Sequence, residues 1–418
     1  MLIARRAVSL LALCGLAGLA WYSVLLARAD IARTGNNLAS LGTAVRLVPA
    51  NAEYHALLAE YLEAGGEDPD RELEIATELS PDESRYWIRR GFRAELEKKY
   101  EDSERYLLRA YRDDRGFDPR WALTNYYFRR GRWPEFWKSA RAALDMSYGN
   151  SDSIFRLCLA ASDDPSATRQ ILPPRRDILS AFFDYLIEHE HVDSAAPMAG
   201  DLASGAVPDD APVLVDYAAR QIGHDDKSAL MVWNALCIRH LLPFAALAPE
   251  QGNIVTNGDF AATPLQKVFD WKYSAEPNVA VGPIEAAPGI SIALSGTQPD
   301  YVPLIQQEIP LTAEKQYLIH YDYRTIGDGD DIGLRWVIQG FGSVENQQAG
   351  SQHTEPVGVF PVVASQDWNS GAISFSAGQR DTARLVLEYR RTPTTLRWKG
   401  AIQIRRVTSG LAQSGLRK

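Results

Sequence analysis

The chain has 418 residues, longer than one compact domain usually takes, and 46% of them are apolar, so it can bury more than one core. A formal charge of −9 excludes a dedicated nucleic-acid binder, which would carry a basic face or tail. Three cysteines (Cys14, Cys158 and Cys237) exclude a disulfide-dependent scaffold. Cys14 lies in an apolar run. Cys158 and Cys237 lie in apolar helical patterns, where free buried thiols are expected rather than a bridge.

Residues 1–6 form a short basic flank, with Arg5 and Arg6, ahead of an uncharged run from Ala7 to Ala27. Twenty-one residues suffice to cross a bilayer core as a helix. Trp21 and Tyr22 stand near the far end, where interfacial aromatics are favoured. The basic flank predicts the N-terminus inside and the bulk of the chain outside, a single-pass inner-membrane protein with a periplasmic body. Two rival readings remain: Ala27-Arg28-Ala29 has the form of a signal-peptidase site, and Leu11-Ala12-Leu13-Cys14 faintly has that of a lipoprotein box. All three readings export the rest of the chain.

Residues 36–150 are punctuated by Pro49, Pro81 and Pro119, spaced 32 and 38 apart. After Pro81 come Trp87, Gly91, Tyr100, Leu107 and Ala110; after Pro119 come Leu123, Tyr127, Gly131, Trp133, Ala140 and Ala143. Small residues let paired helices approach, and the large ones fill the space between them. This register resembles the tetratricopeptide repeat (TPR), whose period is 34 residues. Residues 38–48 read as a leading half-repeat. Residues 151–248 read as degenerate hairpins, with helices expected near 152–161, 165–171, 175–189, 193–204, 211–222 and 225–240. The resemblance implies a groove lined by the first helix of each pair. Its candidates are Arg85, Arg89, Phe92, Trp121, Asn125 and Arg129, set in a region of 25 Lys+Arg against 36 Asp+Glu and suited to an acidic or C-terminal peptide of a protein partner.

Past residue 253 the pattern changes to short alternating strands and Gly/Pro turns. Clear strands are expected at 302–309, 316–325, 332–339, 384–390 and 400–407, which favours an antiparallel β-sandwich over 253–408, followed by a disordered tail at 409–418. Asn257-Gly258-Asp259-Phe260, then Asp270-Trp271, Gln316–Tyr321, and Trp368 followed by Phe375 resemble the jelly-roll carbohydrate-binding modules. The last strand carries Arg405 and Arg406 where that family commonly has an acid before its final valine, which weighs against the structural calcium linked to that acid. Asp328-Gly329-Asp330-Asp331 could supply oxygen ligands, but reads better as a turn. No other cofactor is indicated.

Strand alternation places His320, Asp322, Arg335 and Glu388 opposite the core-facing residues. If their strands are neighbours, they form one polar groove, with Trp336 and Trp368 among the aromatic platforms for a sugar. No catalytic constellation is evident. His189-Glu190-His191 lacks the spacing of a zinc helix, and there is no phosphate loop or nucleophile elbow. Asp322 and Glu388 would serve a glycosidase only if they faced each other across a cleft. The sequence therefore predicts an anchored, non-enzymatic scaffold of α-solenoid plus β-sandwich, binding a protein through its repeats and a polysaccharide through its sandwich, in envelope polysaccharide assembly. The alternatives are a pure protein adaptor and a glycan-active enzyme.

Overall fold

In the computed structural model, which describes residues 2–285, 287–329, 331–340 and 356–412, the apolar N-terminal run belongs to one unbroken helix, α1 (Leu2–Arg33). At 1.5 Å per residue its 32 residues span about 48 Å. Leu11, Leu13, Leu16 and Leu19 are 65–74% exposed, an apolar surface that water would not tolerate. Further along, α1 changes role. Leu25, Leu26, Ala29 and Ala32 pack with Ala44 and Val48 at the end of α2 (Leu38–Leu47) and with Tyr54. The Tyr54 hydroxyl donates to Asp30 at 2.7 Å. The half-repeat expected over 38–48 is thus completed by a partner helix that the sequence reading assigned to the membrane.

Three hairpins follow at the expected places: α3 (Ala52–Ala64) with α4 (Asp70–Leu79), α5 (Ser84–Leu96) with α6 (Tyr100–Asp113), and α7 (Phe117–Arg129) with α8 (Trp133–Met146). The small residues do what their spacing requires. A Cβ on Gly91 would lie 2.7 Å from the Leu107 side chain, and Leu107 and Ala110 are fully buried. Asp114 joins consecutive hairpins, accepting from the Ser84 hydroxyl at 2.7 Å and from the Gly116 amide at 2.6 Å. Shorter helices follow as α9 (Asp152–Ala161) and α10 (Pro165–Ile171), then α11 (Arg176–Glu188), α12 (Val192–Ser204), α13 (Ala211–Gln221) and α14 (Asp226–Ile238), close to the bounds expected for each. The chain divides within α11 into two compact units, residues 1–182 and 183–418.

In the second unit, the last hairpin is fused to the segment that opens the sandwich. Asn234 exchanges two 2.8 Å hydrogen bonds with the Leu247 backbone, and buried Trp233 stacks on Phe244 and meets Phe269 edge-on. Lys267 pairs with Asp216. Among the described residues, ten strands then form two antiparallel sheets: β1 (Lys272–Tyr273), β2 (Val279–Pro283), β3 (Ile290–Ser295), β4 (Tyr301–Pro310), β5 (Gln316–Gly327), β6 (Leu334–Gly340), β7 (Pro356–Pro361), β8 (Asn369–Ser376), β9 (Thr382–Arg390) and β10 (Lys399–Leu411). The first sheet has the order β1-β4-β9-β6-β7 and the second β2-β3-β10-β5-β8. All five expected strands are present. The short strands β1, β2, β3 and β7 carry too few alternating residues to stand out in sequence. Alternation packs Tyr317, Ile319, Tyr321 and Tyr323 of β5 against Leu385, Leu387 and Tyr389 of β9, with Trp271 and Trp336 between the sheets.

Candidate functional sites on the repeats and the sandwich

The six residues expected to line the helical groove all lie on α5 and α7. Their arginines are engaged with the preceding hairpin. Arg85 meets Glu53 of α3 at 2.6 Å; Arg89 meets Glu60 at 3.1 Å and the Ala56 carbonyl at 3.3 Å. Arg129 grips Glu95 of α5 with two bonds of 2.6 and 2.9 Å and lies over the Phe92 ring. Asn125 donates to the Trp121 carbonyl, and Trp121 stacks on Phe117. Charge on this face therefore ties one repeat to the next. The exposed apolar surface left on α5 is Phe92 at 38% and Leu96 at 71%.

The sandwich residues expected to share one groove do not. His320 and Asp322 sit on β5 in the second sheet, whereas Arg335 is on β6 and Glu388 on β9 in the first. The chain passes from one sheet to the other between β5 and β6, so two strands adjacent in sequence end on opposite sides of the core. Asp322 and Glu388 consequently do not oppose each other across a cleft. Trp336 is also corrected: it is fully buried in the core and offers no platform. Trp271 and Trp398, just ahead of β1 and β10, are buried as well.

On the second sheet, Asp322 accepts from Arg406 at 2.7 Å and from the Ser370 hydroxyl at 2.8 Å, with Arg405 at 3.6 Å. Burial pushes its carboxyl up, but these bonds and charges outweigh it and hold the group below its usual value. Trp368 carries the Arg405 guanidinium 4.4 Å and that of Arg324 5.1 Å from its ring centroid. Its ring is committed to cations. His320 is exposed.

The outer face of the first sheet has a different construction. Residues opposite to the core set on β4, β9, β6 and β7 form rows across the strands. One row runs Gln306, Val386, Val337 and Val359. Val386 and Val337 are 1% and 4% exposed although they point away from the sandwich core. A row to one side holds Glu308, Arg384 and Gln339; a row to the other holds Pro303, Glu388, Arg335 and Pro361. Neighbouring rows lie roughly 7 Å apart and strands roughly 5 Å apart. The result is a row of two covered valines crossing the strands between two polar ridges.

Each ridge is built on a buried glutamate. Glu308, 1% exposed, is met by Lys272 at 3.0 Å and Arg384 at 3.1 Å. Glu388, 2% exposed, accepts from Arg335 at 2.7 and 2.8 Å, with Arg390 at 3.8 Å. Tyr301, beyond Glu388, is 46% exposed with Arg390 over its ring, and burial together with the Glu388 carboxylate pushes its phenol up. At the β1 edge, Lys272 to Ala275 and Pro303 to Gln306 line a cavity of about 220 Å³.

Sequence reasoning found Arg335 and Glu388 but missed Glu308, Arg384, Gln306 and the covered valine row. The signal was present. In Arg384-Leu385-Val386-Leu387-Glu388 and Arg335-Trp336-Val337-Ile338-Gln339, a valine interrupts the polar series on the outward side.

Elsewhere, His189 bonds the Tyr185 carbonyl at its helix end. Among the described residues, no group of three or more His, Cys, Asp or Glu side chains could hold a metal ion. Asp330 of the acidic turn lies outside the described residues, as do residues 413–418 of the tail. Cys158 and Cys237 are free, and burial pushes both thiols up to about 12.

No protein-family model and no curated protein sequence matches this chain. Among solved structures, it is similar to a CBM4 at 15% identity, covering 38% of this chain and 99% of that one with a TM-score of 0.28. It is also similar to the CBM22-1 xylan-binding domain of Paenibacillus barcinonensis Xyn10C at 12% identity, covering 38% and 94% with a TM-score of 0.26. A third similar structure comes from the functional characterisation of Pseudomonas aeruginosa pilF, at 18% identity, covering 44% and 89% with a TM-score of 0.30. The chain itself carries TPR-like helical hairpins followed by a two-sheet antiparallel sandwich of jelly-roll character.

Proposed function

We propose that this chain is a membrane-anchored extracytoplasmic scaffold that binds a glycan on the outer face of the first sheet and a protein partner through its repeats, in envelope polysaccharide assembly. The observation that carries the reading is the polar outer face of the first sheet, where the part-exposed side chains of Arg335, Arg384 and Arg390 are held by buried glutamates and Tyr301 is 46% exposed. Sugars are held by such fixed polar groups beside an exposed aromatic ring. The reading is of a binding protein, since the two carboxylates that hydrolysis would require stand on different sheets. On α5, Phe92 and Leu96 leave exposed apolar surface beside the paired arginines, and they suit a partner of amphipathic character.

Binding of the full chain, held in detergent micelles, to a panel of envelope polysaccharides tests the glycan assignment. Tyr301→Ala removes the exposed ring and should weaken binding at least tenfold while leaving the fold intact by circular dichroism. Gln306→Ala, at the partly exposed rim, is the milder companion and should weaken it severalfold. Unchanged binding in both folded variants, or no binding by the wild type to any polymer, would leave the protein-adaptor reading in its place.

A further inference from the structure

We infer that the outer face of the second sheet holds a site for a tetrahedral oxyanion, a phosphate or sulfate ester, built on Arg405, Arg406 and Arg324. The inference is independent of the glycan reading of the first sheet and starts from a β-bulge. Ile404 of β10 pairs with Tyr323 of β5, but the next pair is Arg406 with Asp322, so β10 carries one extra residue, Arg405. Strict alternation would turn one of two consecutive arginines into the core. The bulge leaves both outside, with side chains 46% and 65% exposed, while Ile404 and Val407 on either side stay buried.

Two groups gather the cations. Asp322, 8% exposed, offers one oxygen, Oδ2, to both arginines: Arg406 donates to it at 2.7 and 3.1 Å, and the Arg405 Nε lies 3.6 Å away. The Trp368 ring holds Arg405 a second time, together with Arg324. Arg405 is thus the member shared by both. Three guanidinium groups meet one buried carboxylate. Even with exposed Asp367, the residue before Trp368, counted against them, the patch is positive in a chain whose total is −9.

The donors are also unspent. A guanidinium has five N–H groups in a planar fork. Arg406 uses its Nε and Nη2 on Asp322, and Arg324 its Nε on Gln403 at 2.8 Å. Arg405 makes no hydrogen bond among the described residues; its contacts are the 3.6 Å approach to Asp322 and the Trp368 ring. An anion arriving from solvent offsets the repulsion that one carboxylate leaves among three cations. A carboxylate has two oxygens in one plane and is satisfied by a single fork. A phosphate or sulfate ester has three spread about a tetrahedron, and accepts from forks that arrive from different directions.

The test uses four sugars that differ at one carbon: glucose 6-phosphate, glucose 6-sulfate, glucuronate and glucose, the last giving the contribution of the ring alone. Calorimetric titration of the full chain in nonionic detergent should show at least one ester binding tenfold or more tighter than glucuronate, an advantage that shrinks as salt is raised from about 50 to 500 mM. Tighter binding of one ester than the other supports the site and identifies the group it takes. Arg405→Gln should weaken ester binding at least tenfold and leave glucose unchanged. Arg405→Lys, which keeps the charge but not the fork, should recover only part of the loss. Lys399→Gln removes an exposed charge from the same strand roughly 20 Å away and should change nothing. Glucuronate bound as tightly as the esters would overturn the tetrahedral assignment. Ester binding that is absent, that survives Arg405→Gln, or that falls as much in Lys399→Gln would overturn the site.

Discussion

Individual side chains carry two strong demands. Asp270 is fully buried, its carboxylate accepting from the Leu265 amide at 2.6 Å, and burial pushes its pKa from 3.8 up to about 6 despite that bond. A carboxyl raised in the folded state is bound to its proton more tightly there than in the unfolded chain. Its contribution is therefore most favourable below about pH 4, declines as pH rises to about 6, and is flat beyond. The difference amounts to about 3 kcal/mol. Asp270→Asn keeps an accepting oxygen and removes the charge. Denaturant titrations of both proteins at pH 4.5 and 7.5 should show the variant gaining on the wild type at the higher pH; identical pH dependences would refute the assignment. Gly91 makes the second demand. An alanine there gains about 1 kcal/mol of helix propensity but places a methyl 2.7 Å from buried Leu107, an overpacking cost of about 1–3 kcal/mol. Gly91→Ala should be neutral to destabilising alone. It should become stabilising relative to its background in Leu107→Ala, where the crowding is relieved. Additive effects in that double-mutant cycle would show that the contact is not what selects glycine.

Among the elements, α1 matters most because it has two environments. Its exposed leucines suit lipid, and its last turns form half of the first hairpin. Cleavage after Ala29 would cut inside a helix at a residue with no exposed surface, and would strip Leu25, Leu26 and Ala29 from their contacts with Ala44 and Val48. Losing one buried alanine and two partly buried leucines costs on the order of 1–3 kcal/mol, at about 0.8 kcal/mol per buried CH2. Retention of the helix is the expected outcome. Intact-mass measurement on protein extracted from membranes should give the full chain, and a mature N-terminus at Asp30 would refute it. The repeat helices show the same economy of contact. Arg85, Arg89 and Arg129 each reach the preceding first helix of a pair, so removing any one of them weakens the stacking of neighbours rather than the helix that carries it.

At the scale of the whole molecule, the sequence determined whatever is local and periodic. The 3.6-residue pattern placed the helices from α3 to α14 within a few residues, and the small–large alternation of Gly91, Leu107 and Ala110 set their pairing. The two-residue period located the long strands β4, β5, β6, β9 and β10 and told which of their side chains turn outward. None of this required knowledge of what packs against what. Tertiary structure alone decided which strands are neighbours. That choice separated Asp322 from Glu388, brought Glu308 beside Arg384, and aligned Val386 with Val337. It also decided that the end of an apolar N-terminal run packs into the first helical hairpin. The physical reason is the same in each case. A side chain's direction follows from its own backbone, whereas its partners depend on how residues far apart in sequence are brought to one face, and that depends on the packing of the whole core.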